Sequence, residues 1–212
     1  MKMVFPTAVV ALMLALPAQA QVLPSAAQVL EESAAAHRQM RTFAVSYDYT
    51  VFGGETPHTQ AGQAWFSWNR YRIVYDTVEY YADGTYVYVY HPAVERVFVH
   101  DVDKHKYWDI DRLFLYDWTD TRPTDLTVDS GAWRVTVALD GGDLFKAELW
   151  VDKESHLIQR AILYDTSGRR HSYELEPYEP RGHIPGRVFR WSVRRHPNTE
   201  LLPMTAEPYE VY

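Results

Sequence analysis

Large apolar side chains recur at every second position in segment after segment of this chain, and most of the segments end in residues suited to a tight turn. Phe43, Val45, Tyr47, Tyr49 and Val51 alternate with Ala44, Ser46, Asp48 and Thr50. Successive side chains of an extended strand point to opposite faces, so this spacing gathers the large groups on one face. Gly53-Gly54 ends the run, and comparable runs follow at 62–68, 71–75, 78–82, 85–90, 94–101, 133–139, 144–151, 157–164, 170–176 and 187–193. Asp83-Gly84, His91-Pro92, Asp140-Gly141-Gly142, Asp152-Lys153 and Ser167-Gly168 stand between them, most of them hairpin chemistry. The pattern predicts about eleven short strands in an antiparallel meander. A sheet that wide curls, and curling encloses an apolar hollow.

Two segments break this period. Ser25 followed by Gln28 reads as a capping box, in which each side chain satisfies a free backbone N–H of the other. Beyond it Val29, Leu30, Ala34, His37 and Met40 recur at helical spacing, which predicts a helix over 26–40. Over 107–118 the apolar Ile110, Leu113, Phe114 and Trp118 are interleaved with Asp109, Asp111, Arg112 and Asp117, which predicts a short amphipathic helix. The polar stretch 119–130 contains Pro123 and reads as a mobile connection. The tail from His196, with Pro197, Pro203 and Pro208, has no period and reads as extended, docked or frayed. These elements give a mainly β (α+β) fold class: an incomplete antiparallel β-barrel of about eleven strands, with the two helices as the only elements available to cover its hollow.

The first residues carry Lys2, an apolar stretch over 8–16, Pro17 and the small-residue site Ala18-Gln19-Ala20. This is the pattern of a secretory signal peptide over 1–20, with 21–212 expected as one exported, soluble domain. The apolar stretch falls short of the roughly 20 residues that span a bilayer. Cysteine is absent, which excludes disulfides and a lipidated cysteine anchor. The formal charge is −7, becomes one unit more negative with the loss of Lys2, and includes no basic block. Nucleic acid is therefore not an expected partner, nor are anionic membranes through bulk electrostatics. The 16 Tyr and 7 Trp residues suit a surface that is alternately wet and covered.

No catalytic signature is readable. The chain has no G-x-S-x-G elbow, phosphate-binding loop, H-E-x-x-H motif or cysteine nucleophile, so it is expected not to be an enzyme. His100-Asp101-Val102-Asp103-Lys104-His105 has metal-ligand residue types, but the position after a strand and the presence of Lys104 favour a solvated turn. Asp109 and Asp111 are two positions apart and do not face each other on a helix. No metal or cofactor is expected. The stripe Tyr86, Tyr88, Tyr90 belongs either to an ordinary sheet face or to a cavity wall, and periodicity does not say which face turns inward. The same choice applies to Phe43, Val45, Tyr47, Phe66, Trp68, Tyr71 and Ile73. Pattern alone favours plain core.

An ordered series of short motifs resembles the LolA family of lipoprotein carriers, in its divergent branch. It runs through Gly62-Gln63-Ala64-Trp65-Phe66, Asn69-Arg70-Tyr71-Arg72-Ile73, the turn and strand Ala82-Asp83-Gly84-Thr85-Tyr86-Val87-Tyr88-Val89-Tyr90, and Val94-Glu95-Arg96-Val97. Leu149-Trp150-Val151-Asp152, Ile158-Gln159-Arg160-Ala161, Tyr164-Asp165, Gly168 and an exit from Ile184-Pro185 to Phe189 continue it. The resemblance implies an open antiparallel barrel closed by helices, acting as a periplasmic monomer. It implies acylated lipoproteins as cargo, an inner-membrane lipoprotein release transporter as donor and an outer-membrane receptor as acceptor. On that reading Phe43, Val45, Tyr47, Phe66, Trp68, Tyr71, Ile73 and Tyr88 line the lipid site, and Ile110, Leu113 and Phe114 form the lid. The arginine that latches the lid in the best-studied branch is replaced here by Trp68, with Arg70 as the nearby substitute. The alternative is a LolA-like lipid-sensing module, like the lipid-binding domain of the envelope-stress regulator RseB, a family that usually carries a further domain. A secreted enzyme on a similar half-barrel ranks below both.

Overall fold

The computed structural model describes residues 23–54, 56–75, 77–102, 113–114, 118, 121–140 and 143–203. Helix α1 (Ala26–Met40) has the predicted bounds because its start is chemically fixed. The backbone N–H of Gln28 donates to Ser25 Oγ at 3.2 Å, and that of Ser25 donates to Gln28 Oε1 at 2.8 Å. Val29, Leu30, Ser33, Ala34 and His37 form its buried stripe. Among the described residues no helix is long and apolar enough to cross a membrane.

Among the described residues thirteen strands form one sheet. Strands β1 (Thr42–Phe52), β2 (His58–Ser67), β3 (Arg70–Val74), β4 (Glu79–Ala82), β5 (Tyr86–His91) and β6 (Arg96–Asp101) form one antiparallel meander. A second comprises β7 (Thr121–Asp129), β8 (Ala132–Leu139), β9 (Leu144–Val151), β10 (Ile158–Asp165) and β11 (Arg170–Leu175). Antiparallel pairing of β1 with β11 joins the two. The two-residue β12 (Glu179–Pro180) pairs with the start of β1, and β13 (Glu200–Pro203) adds to β6 in parallel. Strand order leaves β13 and β7 as the two ends, so the barrel is incomplete, as the sequence predicts.

Register decides which residues share a face. Phe43 is opposite Phe66, Val45 opposite Ala64 and Tyr47 opposite Gly62. Phe66 then faces Tyr71, and Ala64 faces Ile73. On the other side of β1, Tyr49 meets Tyr173, followed by Ala161, Leu149 and Val135 on successive strands. These side chains, with Val29, Leu30 and Ala34 of α1, form the main core on the inner face. Gly62 is required there: a Cβ would lie 2.3 Å from ring carbons of Tyr47.

Several sequence expectations are corrected. The 119–130 stretch is not a connection but contributes β7. Pro123 is accommodated because β7 is an edge strand, and a bulge between Pro123 and Asp125 absorbs the lost register. The run 187–193 is not a strand. Gly186–Phe189 is a 3₁₀ turn, and Phe189 and Trp191 are buried without joining the ladder. Strand β6 starts at Arg96 rather than Val94 because Pro92–Val94 form another 3₁₀ turn, closed by Glu95 at φ 49°. The tail after His196, expected to be extended, docked or frayed, is docked through β13. His100 is not in a solvated turn but buried within β6 opposite Val87. The signal segment 1–20 and Ile110 lie outside the described residues, as does most of 107–118.

Candidate functional site

The inner face is covered by α1 and by Leu113 and Phe114, two described residues that lie between β6 and β7 in sequence. Leu113 and Phe114 are 0% and 1% exposed. The Phe114 ring stands 5.4 Å from Tyr47, 5.7 Å from Phe66 and 6.3 Å from Tyr173, centroid to centroid. A side chain brought from outside the ladder thus fills the middle of the hollow. Phe43 stacks on Phe66 at 4.8 Å, and Tyr178 closes edge-on over Phe43 and His37.

Two voids remain. The first, about 310 Å³, is lined by His37, Arg38, Arg41, Phe43, Phe66, Trp68 and Phe114. The second, about 180 Å³, is lined by Tyr49, Gln60, Tyr75, Thr77, Val78, Tyr80 and Tyr173. Aromatic walls with a few polar tips suit apolar ligands. Beyond the second void, Tyr49 hydrogen-bonds His171 Nδ1 at 2.7 Å, and His171 Nε2 meets Asp165 at 3.1 Å. Burial opposes ionisation of Asp165, but hydrogen bonds from His171, Ser167 and the Arg169 backbone hold its pKa down at about 2. With Asp165 ionised, Nε2–H donates to it and leaves Nδ1 to accept from Tyr49, so the network is internally satisfied. A larger cleft, about 520 Å³, opens beside Ser46, Asp48, Gln63, Glu79 and Glu176; its three carboxylates make it a poor host for acyl chains.

Most residues predicted for the lipid site do share this face. Phe43, Val45, Tyr47, Phe66, Tyr71 and Ile73 belong to the inner core, with Leu113 and Phe114 against them. Of these, Phe43, Phe66 and Phe114 line the first void, whereas Val45 and Ile73 are 1% and 0% exposed and serve as floor. Tyr88 is corrected to the opposite face. It pairs with Tyr81 and Val99 and stacks on Trp191 at 6.0 Å, within a separate cluster of Tyr81, Tyr90, Val97 and Trp191. On that outer face Arg72 lies between Trp65 and Tyr81, 5.4 and 4.9 Å from their rings, and pairs with Glu79 at 2.8 Å. Val87 and Val89, not the tyrosines, turn inward.

Arg70 is placed by contacts with β2 and the turn after β12. It lies over the Phe189 ring at 5.3 Å and reaches Ser67. Among the described residues the arginines at the mouth of the first void are Arg38 and Arg41, at the end of α1, neither of which stands out in the sequence. Trp68 is not an inward wall but a rim residue, 67% exposed, with Arg41 stacked over its ring at 4.9 Å. Tyr49, Tyr75, Tyr80, Tyr173 and Tyr178 were also missed. The alternation around Tyr49, Tyr80 and Tyr173 marks sheet faces, but only the register shows that these side chains are on the inner one. Among the described residues no group of three or more His, Asp or Glu side chains could hold a metal.

No protein-family model matches the sequence, and no curated protein matches it. Among solved structures, an uncharacterized conserved protein from Thermus thermophilus superposes with a TM-score of 0.56 at 8% identity, covering 85% of this chain and 100% of that one. A LolA superfamily protein from Nitrosomonas europaea gives 0.46 at 13% identity, covering 80% and 99%. A putative outer membrane lipoprotein-sorting protein domain from Vibrio parahaemolyticus gives 0.46 at 9% identity, covering 78% and 97%. The observed architecture, one open sheet with α1 and Phe114 against its inner face, is an incomplete barrel of the kind that the sequence resemblance implies, and the chain shares its fold with the Thermus thermophilus protein.

Proposed function

We propose that this protein carries acyl chains of lipoproteins outside the cytoplasm, in the periplasm, between an inner-membrane release transporter and an outer-membrane receptor. The observation that carries the reading is the plugged inner face: Leu113 and Phe114 are fully buried side chains supplied by an inter-strand connection, with one void against the Phe114 ring and another beside Tyr173. An apolar binding face left open would be an aggregation liability. A plug resolves this, because cargo and plug occupy the same space in turn. Each buried methylene of cargo contributes about 0.8 kcal/mol, which offsets the displacement of the plug. Release then follows when a receptor offers a comparable apolar site and the plug returns. The cycle requires no cofactor and no covalent step.

Native mass spectrometry tests this directly. The purified protein is incubated with a triacylated lipoprotein and, in parallel, with the same lipoprotein bearing a cysteine-to-serine change that prevents acylation. A one-to-one complex with the acylated form alone is the expected result. Equal capture of both forms, or of neither, would remove the carrier reading. Capture of free acyl lipid by a protein that captures neither form of the lipoprotein would replace it with a lipid-sensing one.

A further inference from the structure

The mouth of the first void has a charge pattern that a neutral acyl chain does not explain. Of the described side chains lining it, Phe43, Phe66, Trp68 and Phe114 are apolar, and burial pushes His37 down to about 3 despite its hydrogen bond to the Ser33 carbonyl, so it is neutral. Arg38 and Arg41 are the two permanent charges, both exposed. Among the described residues no carboxylate forms an ion pair with either, in a chain with a net charge of −7.

The backbone gives a second, independent sign. Arg41 and Trp68 both have positive φ, 54° and 60°, a conformation that costs a non-glycine residue of order 1–3 kcal/mol. The two strained residues are neighbours: the Trp68 N–H donates to the Arg41 carbonyl at 2.9 Å, and the guanidinium covers the indole. The fold accepts strain at two adjoining points, and together they set a cation and an aromatic ring at the rim of an apolar void.

Resting on the carrier reading, we propose that this mouth takes a single-chain amphiphile with an anionic oxygen headgroup, its chain entering beside Phe43 and Phe66 in place of the Phe114 ring and its head on Arg38 and Arg41. A guanidinium fork matches the oxygens of a carboxylate or a phosphate. The overall negative charge does not oppose this, because interactions beyond about 8–10 Å are screened at physiological salt and the two arginines act at contact distance.

Calorimetric titration with dodecanoate, dodecyl phosphate and the neutral monododecanoylglycerol tests it, and the two anions separate a fatty-acid source from a phospholipid one. At least one anion should bind at least about tenfold tighter than the neutral ligand, the scale of a charge-assisted hydrogen bond. The double variant Arg38→Gln/Arg41→Gln should lose that preference yet still bind monododecanoylglycerol, and Arg38→Lys/Arg41→Lys should retain part of it. Arg38→Gln alone, which leaves the Arg41–Trp68 contact intact, should lose part of it. Equal affinity for all three ligands, or a preference that survives in the double variant, would overturn the headgroup site and leave the carrier reading standing. Binding of none of the three would overturn both.

Discussion

Phe114→Ala separates a plug from an ordinary core residue. The ring is 1% exposed and stands within 6.3 Å of Tyr47, Phe66 and Tyr173, so truncation forfeits its transfer free energy and leaves a cavity. Buried Phe→Ala changes cost about 3–5 kcal/mol. Because the first void already adjoins this ring, the lower end, about 3 kcal/mol, is expected for the ligand-free protein, read as a shift in the urea midpoint at constant slope. The effect on binding has the opposite sign. Cargo no longer has to expel a phenyl ring whose burial stabilises the closed form by about 2 kcal/mol, so affinity for an acyl ligand should rise by up to about thirtyfold. Dodecanoate titrated into both proteins by calorimetry gives that ratio. A variant that is destabilised but binds with unchanged or weaker affinity would show that Phe114 is a fixed part of the core and that cargo seats elsewhere.

Gly62→Ala should destabilise the protein by about 2 kcal/mol or more, because the new Cβ meets the Tyr47 ring at 2.3 Å and the overpacked site can relieve the clash only by moving the ring; a wild-type melting curve would refute it. Val45→Glu and Ile73→Glu place a carboxylate at positions 1% and 0% exposed, so they should reduce the folded population itself rather than acyl loading alone, whereas the exposed Asp48→Glu should be silent by circular dichroism. His37 has its pKa lowered by burial from 6.5 to about 3, so the unfolded chain takes up a proton that the folded one refuses. The stability it supports is therefore full above pH 6.5, falls below that by at most about 1.4 kcal/mol per unit, and levels off near pH 3. His37→Leu should flatten that slope in urea titrations run between pH 7 and 4, and an unchanged slope would count against it. Dodecanoate should shift tryptophan emission to the blue as it covers Trp68, and Trp68→Phe should abolish most of the shift; persistence of the full shift would place the ligand away from the rim.

Helix α1 was legible to the residue because Ser25 and Gln28 fix its start by side-chain chemistry and its buried stripe has helical spacing. The strands of the two meanders were legible from alternation and turn residues. Which face turned inward was not. Tyr86, Tyr88 and Tyr90 alternate with Val87 and Val89, so both faces of β5 are apolar and the period alone is blind to the choice; the pairing with β4 and β6 makes it. Strand β7 was hidden by its polar composition and Pro123, features an edge strand tolerates and a central one does not. Strand β13 was unreadable because its partner β6 lies about a hundred positions upstream: Glu200 pairs with Arg96. At the site, the aromatic floor was legible as a pattern, while the roof arginines were not, since a lone Arg38 or Arg41 at a helix end looks like any solvated charge until the void beside it is seen.

The seam between β1 and β11 governs how the molecule comes into being. Every other antiparallel pairing of the two meanders joins strands that are consecutive in sequence, but at the seam Tyr49 meets His171 across 122 positions. Hairpins close in microseconds, whereas distant contacts wait for the loop entropy to be overcome. Each meander should therefore assemble on its own and remain half a hollow, with its apolar face uncovered. The interval before the seam zips is when a newly made chain is most exposed to aggregation, and a substitution that slows this one pairing would lower yield without touching any residue of the finished cavity.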